Sequence, residues 1–358
     1  MLKLRKSTVE TKIFENCKML FDKFFAKKTS VLGVDIGTSN IKIAQISHQA
    51  SPVLETYGMV NSPYQFSGKQ DSEAVKKTSD ILKKLIDKAG VTTNACVISF
   101  PNSSVFTSVL ELPQMNEVEM KSAVEFEAKK YVPLALSDID LSWTVLSVDP
   151  LSGKTVKILL TAVPKQITQN YLAILENLGL KAQAGEIEAL ALIRSLIGGD
   201  NINCVIIDIG AKSTSLNIVE NGFLRLSRNL NIGGDTITQK IAESLRLSFP
   251  RAEQFKKDFG VSGSTFIPET IKPVLNIVKN EVKQLLMIYQ SQNVKVDKLV
   301  LVGGGAMLPG ISDYFSDLKV GVELGNPLKL VAYSKELEPL IKRYTLNLAV
   351  AIGLGLRK

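Results

Sequence analysis

With 358 residues, 45% hydrophobic and 22% charged, the chain can bury a large core and is too apolar to be disordered; the length suggests two domains or one large one. Three scattered cysteines (Cys17, Cys96, Cys204) without C-x-x-C spacing, and a single histidine, His48, speak against structural zinc and disulfides and for a reduced cytosolic protein. Residues 1–28 hold eight bases against three acids, so +5 of the net charge of +8 sits there and the body carries only +3, which is not the pattern of a nucleic-acid-binding surface.

The start, MLKLRKSTVETK, leads into no apolar segment of a signal peptide, and no run of 18 apolar residues predicts a membrane-spanning helix. The expected location is therefore the cytoplasm. In the basic leader, Ile13, Cys17, Leu20 and Phe24 recur at helical spacing. Such a face can meet anionic lipid or a partner, or simply pack on its own domain. From Ser30, SVLGVDIG and NIKIAQISH read as two strands joined by a short glycine turn. A helix follows at about Glu73–Lys88, then the strand NACVISFP. Strand-like stretches around one helix, Glu117–Lys130, fill residues 105–162 and suggest an inserted α+β module.

A helix at about Lys165–Leu178, a turn at Gly179 and a helix Ile187–Leu196 come next. Asn203–Ile209 and Ser215–Glu220 repeat the strand–turn–strand form of the start. GGDTITQKIAESL opens a largely helical region running to about Ser291, KLVLVGGGAMLPGISDYF reads as strand, glycine loop and helix, and LNLAVAIGLGL is a last apolar helix. Two similar hairpins about 170 residues apart form a coarse internal repeat, too long for a solenoid, and suggest duplicated domains facing each other across a cleft. The expected division is a leader (1–29), a first lobe (30–104 with 163–197 and 340–358), the insert (105–162), a second lobe (198–235 with 292–339) and its helical subdomain (236–291).

Three motifs carry the chemistry. In the first, Asp35 ends a buried strand, Gly37 lets the backbone turn, and Thr38, Ser39 and Asn40 add donors to the loop N–H groups that can converge on a phosphate; Lys42 supplies a nearby cation. The second repeats it as Asp208, Gly210, Lys212, Ser213 and Thr214. An ordinary hairpin turn would explain either one alone. Two facing turns could clamp one polyphosphate, with Asp35 and Asp208 holding a Mg²⁺ through its waters. The third, Gly303, Gly304, Gly305 and Ala306, follows a buried strand and precedes a helix whose N-terminus would add positive potential. It matches neither a dinucleotide-binding nor a P-loop pattern.

The three motifs, in this order and spacing, resemble the actin and sugar-kinase superfamily over residues 30–358. That resemblance implies an α/β, actin-like (ribonuclease H-like) two-lobed ATPase fold with ATP and Mg²⁺ in the interlobe cleft. It assigns residues 35–42 and 208–214 to the two phosphate loops and residues 303–306 to the adenosine loop. It places Glu253 and Lys257 at ribose and base contacts, and Glu188 where relatives carry a water-positioning residue, the one candidate catalytic group. The insert lies where FtsA carries its own subdomain, and VEFEAKKYVPLALSDIDLSW, GGDTITQKIAESL with AEQFKK, and LVGGGAMLPGISDYF resemble the PilM family of type IV pilus machines. The long leader departs from that pattern, as does Lys212-Ser213, where actin relatives have Asp-Gly; strong hydrolysis is therefore not expected.

The PilM resemblance implies an ATP-binding scaffold, with weak or no turnover, at the inner membrane. It would recruit the N-terminal cytoplasmic peptide of a PilN-like single-pass membrane protein, the insert forming one wall of the peptide groove. Pilus motor or platform proteins, self-association and peripheral membrane contact through residues 1–28 are further expected partners. The alternative is an FtsA-like filament-forming ATPase or a division or secretion adaptor. A small-molecule kinase is disfavoured, because only Glu186 and Glu188 lie near the second cleft wall as candidate bases.

Overall fold

The computed structural model describes residues 29–62, 71–148, 153–262, 266–292 and 294–358. The leader helix and its expected membrane contact lie outside the described residues.

The first apolar runs form an antiparallel hairpin, β1 (Thr29–Ile36) and β2 (Asn40–His48), continued by β3 (Val53–Asn61). Helix α1 (Ser72–Ala89) begins where Asp71 accepts the Ala74 N–H and ends at Gly90, whose φ of 64° few other residues adopt. Next comes β4 (Ala95–Phe100), and the chain then leaves the lobe for the insert: β5 (Phe106–Pro113), α2 (Glu117–Tyr131), β6 (Ile139–Val148) and β7 (Thr155–Pro164). Helix α2 opens on a capping box between Asn116 and Glu119. It packs Met120, Val124 and Ala128 onto Leu110, Ile158 and Leu160 of the small sheet, so the insert has its own core.

Returning, α3 (Lys165–Asn177) leads to β8 (Lys181–Ile187) and α4 (Glu188–Leu196). The second hairpin, β9 (Cys204–Ile209) and β10 (Thr214–Glu220), continues into β11 (Phe223–Leu230). Helices α5 (Gly234–Leu245), α6 (Phe249–Phe259) and α7 (Phe266–Ser291) follow, then β12 (Lys298–Val302), α8 (Ile311–Phe315), β13 (Gly321–Leu324), β14 (Ala332–Tyr333), α9 (Glu338–Tyr344) and α10 (Ala349–Gly355).

The two large sheets share one topology. Strands run β3-β2-β1-β4-β8 in the first and β11-β10-β9-β12-β13 in the second, each an antiparallel meander followed by two parallel strands. The repeat read from two hairpins thus extends to whole sheets. In the first lobe, α1 and α3 pack Leu82, Leu85, Ile174 and Leu175 over one sheet face. In the second, α5 and α7 do the same with Ile237, Ile241, Leu275 and Val282. Between the lobes, α4 and α10 share one core that contacts both sheets, including Leu192 and Leu354 with Val31, Ile206 and Val300. Backbones touch here: a Cβ on Gly353 would stand 2.0 Å from the Ala191 carbonyl oxygen, so only glycine lets α10 sit this close to α4.

Five strands carried no clear sequence signal. β8 and β11 are mixed in burial along their length, β3 contains Glu55, Thr56 and Gly58, and β13 and β14 are short. None shows the continuous apolar run of a central parallel strand. One departure changes the lobe boundary: β14 pairs parallel with β3, so residues 332–333, expected in the second lobe, extend the first sheet.

Candidate functional site

The functional side chains gather because of strand direction. Asp35, Asp208 and Gly303 stand at or just beyond the carboxyl ends of β1, β9 and β12, and Glu188 follows β8 directly. In parallel α/β sheets those ends form the crevice where ligands bind. Hairpin register adds the cation, because Asp35 and Lys42 are directly opposed across β1 and β2. Lys42 Nζ lies 2.9 Å from Asp35 Oδ2, and Ser99 Oγ donates to Asp35 Oδ1 at 3.1 Å. Asp35 is buried and Lys42 partly so.

The cluster is electrostatically strained toward negative charge. Burial, then Asp35 and Asp208, push the Glu188 carboxyl up to about 8. Burial also raises Asp208, to about 6, with Lys42 opposing and Asp35 adding to the shift. For Lys42 burial acts to lower the pKa, but Asp35, Glu188 and Asp208 outweigh it, so its ammonium holds its proton more tightly than usual. One cation thus serves three carboxyls. Among the described residues no group of three or more His, Cys, Asp or Glu side chains is spaced to hold a metal directly. A hard cation bound at Asp35 and Asp208 would keep most of its water shell.

Both turns form as expected, with a refinement at their ends. Gly37 N–H donates to the Asn40 carbonyl at 3.0 Å, and Gly210 N–H to that of Ser213 at 2.9 Å. The open loops are therefore Gly37–Ser39 and Gly210–Ser213, while Asn40 and Thr214 already belong to β2 and β10. Thr214 is fully buried and its Oγ1 donates to the Ile232 carbonyl at 2.7 Å, which spends the hydroxyl proton on the fold. Lys212 is exposed, and Gly234 and Asp235 brace the second loop by donating their N–H groups to Gly210 and Ala211 at 2.9 and 2.8 Å.

In the glycine loop, Gly303 has φ 84°, and a Cβ there would meet Asp208 Oδ1 at 2.3 Å. A Cβ on Gly305 would strike Ile209 at 2.2 Å, and Ala306 is buried. Of the four residues only Gly304 is exposed. The helix expected immediately after the loop is instead a 3-10 turn, Gly304–Met307, and α8 starts only at Ile311. Pro309 and Gly310 separate the two, so the predicted helix-terminal potential is not at the loop.

Glu253 and Lys257, expected at the ribose and base, differ in how far they are drawn into the protein. Glu253 accepts from Thr238 at 2.5 Å and from Lys256 at 2.6 Å, and although burial opposes it, these hydrogen bonds hold its pKa low. Lys256 is buried and also donates to the Gly234 carbonyl at 3.0 Å; Lys257, its side chain 64% exposed, meets Glu253 Oε1 at 3.3 Å from the solvent side. The sequence shows two adjacent lysines; that Lys256 is the inward one follows from the burial of Ala252 one helical turn earlier in α6. Glu186, weighed as a kinase base, is committed elsewhere: Arg194 grips both its oxygens at 2.6 and 2.9 Å, and Arg357 adds a contact at 2.5 Å. Two further polar residues escaped the sequence reading. Tyr171 reaches the Ile36 carbonyl at 3.4 Å, and Asn102 donates its main-chain N–H to Glu188 Oε2 at 3.1 Å.

Comparison with known proteins places this geometry. The chain is 24% identical to the cell division protein FtsA of Bacillus subtilis (strain 168) over 346 residues, covering 83% of this chain and 78% of FtsA. It superposes on a solved PilM-PilN type IV pilus biogenesis complex with a TM-score of 0.82 at 26% identity, over 92% of this chain and 98% of that one. The ethanolamine utilization protein EutJ of Carboxydothermus hydrogenoformans matches at TM-score 0.59 and 18% identity, over 92% and 89% of the two chains, a likeness of fold. The fold is the actin-like, two-lobed α/β fold that the paired hairpins implied. The family model described as type IV pilus assembly protein PilM matches residues 33–358, and the chain belongs to the PilM family of type IV pilus assembly proteins.

Proposed function

We propose that this chain is an ATP-binding scaffold of the pilus assembly platform, working at the cytoplasmic face of the inner membrane and recruiting the N-terminal cytoplasmic tail of a PilN-like single-pass membrane protein. The observation that carries the nucleotide half is the meeting of Asp35, Lys42, Glu188 and Asp208 at the carboxyl ends of two matching sheets. The loops Gly37–Ser39 and Gly210–Ser213 would hold the phosphates, Glu253 and Lys256 the sugar side, and Gly304 the open face of the adenosine loop. Asp35 and Asp208 would hold Mg²⁺ through its waters. A bound Mg²⁺ would supply the positive charge that one lysine cannot give three carboxyls. Turnover is proposed to be weak, because the second loop carries Lys212-Ser213 where actin relatives have Asp-Gly.

The recruitment half is supported by the PilM-PilN complex, which this chain matches along nearly its whole length. A cavity of about 210 Å³ lies where the insert meets β11, between Phe106 and Tyr131 on one side and Ser227 and Asn229 on the other. It is the proposed seat of the tail. Among the described residues no helix is long and apolar enough to cross a membrane. Titration of the full chain with the synthetic tail peptide, with and without Mg-ATP, tests the proposal. Saturable micromolar binding is expected; none in either state would refute the recruitment role.

A further inference from the structure

Just before α10 the chain touches both lobes. In the 3-10 turn Thr345–Leu348, Leu346 packs against the core of the second lobe, and Leu348 is buried with Ala44 and Ile46 of β2 in the first. Asn347 lies between them. The Leu346 carbonyl accepts the Gly303 N–H at 3.2 Å, which ties this turn to the glycine loop. The Asn347 amide lies against the next residue of that loop: a Cβ on Gly304 would stand 3.2 Å from Asn347 Nδ2.

Asn347 is half-buried, and among the described residues its side chain has no hydrogen-bond partner. Neither amide atom is sealed from solvent. The side chain therefore offers a donor and an acceptor to whatever lies over Gly304, itself exposed.

The loop divides what a nucleotide would meet. A Cβ on Gly303 would point at Asp208, on the side of the phosphates and their cation, whereas one on Gly304 would point at Asn347. Met307 is 46% exposed and ends the 3-10 turn that Gly304 begins. Residues three apart in such a turn eclipse, so the thioether stands on the Gly304 side. A polarizable apolar surface beside a neutral amide suits a flat aromatic ring better than a phosphate. Among purines the amide also discriminates. Adenine presents a donor at N6 beside an acceptor at N7, which an asparagine matches with both its groups, while guanine presents two acceptors on the same edge.

We infer that Asn347 is a specificity residue that reads the edge of the base and selects ATP over GTP. This rests on the nucleotide reading above.

The test is calorimetric titration of the full chain with Mg-ATP and with Mg-GTP. Wild type is expected to bind ATP about ten-fold or more tighter than GTP, the range for one two-point amide contact to a base. Asn347→Ala should lose about that factor for ATP and leave GTP unchanged, so the preference falls to about one. Asn347→Asp, nearly the same shape, keeps an acceptor but has no donor for N7, and covers the case in which the alanine variant does not fold. It should weaken ATP about ten-fold. A merely structural role would weaken both nucleotides alike. If wild type binds neither nucleotide, the nucleotide reading itself falls, and this inference with it. If wild type binds nucleotide without preferring ATP, or if a folded variant keeps the preference or weakens both alike, the cleft reading stands and the role of Asn347 is refuted.

Discussion

Replacing Glu188 by Gln tests the electrostatics of the cleft without a nucleotide. Glutamine keeps an oxygen for the Asn102 N–H and nearly the same volume, so the change removes a titration and little else. Burial and the neighbouring Asp35 and Asp208 raise this carboxyl from 4.5 to about 8. Between those pH values the folded chain retains a proton that the unfolded chain has released, so stability falls as pH rises through that window. From pH 5.5 to 8 the single-site loss is at most about 3 kcal/mol, an upper limit because Lys42 and Asp208 titrate with the same cluster. At about 2 °C per kcal/mol for a chain of this size, that is several degrees in Tm.

Melting curves of wild type and Glu188→Gln at pH 5.5, 6.5, 7.5 and 8, without nucleotide or Mg²⁺, read the effect. Wild type should lose Tm across the series. The variant should stay flatter and melt several degrees higher than wild type at pH 8, with the smallest difference at pH 5.5. Asp208 cannot mimic this slope, since its raised value of about 6 places its own window lower, between 3.8 and 6. Parallel profiles for the two proteins over the whole series would show that Glu188 carries no extra proton and would refute the electrostatic account of the cleft.

Asp35→Ala and Asp208→Ala should each reduce Mg-dependent ATP affinity at least ten-fold while circular dichroism shows an intact fold; full affinity in both would overturn the cleft assignment. Gly303→Ala puts a Cβ 2.3 Å from Asp208 Oδ1 at φ 84°, so chemical denaturation should show a loss of about 2–3 kcal/mol, combining backbone strain with the clash. Lys256→Met should weaken ATP about ten-fold or more, because it strips Glu253 and the Gly234 carbonyl of a buried charged donor, whereas Lys257→Met should change affinity less than two-fold. Isothermal titration separates the two lysines, and equal effects would return Lys257 to the site.

The sequence showed most where the chain is buried and repetitive. Two runs ending in Asp-Ile-Gly identified both hairpins because central strands are apolar throughout and their turns need glycine, and the same motifs located Asp35 and Asp208. What it hid depends on contacts distant in the chain. Nothing around Asn102 announces a tie to a residue 86 positions later, and Glu186 reads as a candidate base until Arg357, 171 positions away, arrives beside it. Thr214 looked like a phosphate donor because hydroxyl type is visible in sequence and its partner, the Ile232 carbonyl, is not.

The two halves of the repeat differ at one informative position. Lys42 faces Asp35 across the first hairpin, and the residue facing Asp208 across the second is Ser215. Duplicated topology therefore carries unequal charge. Asp35 has a cation 2.9 Å away and a hydroxyl donor in Ser99, while Asp208 is half-buried with Ser215 rather than a lysine opposite it and is pushed up to about 6. A second lysine would leave the carboxyls balanced and the cleft content when empty. With serine there, closing the lobes on each other would bring Asp208 of the second lobe toward Asp35 of the first, with Lys42 the one cation shown beside them, and the two like charges resist that approach. In the proposed scaffold that resistance is what a bound cation would relieve, so the empty cleft favours separation and the filled one favours closure. In the proposed scaffold, the difference between lysine and serine at matching positions would make lobe closure depend on occupancy, which is what nucleotide control requires.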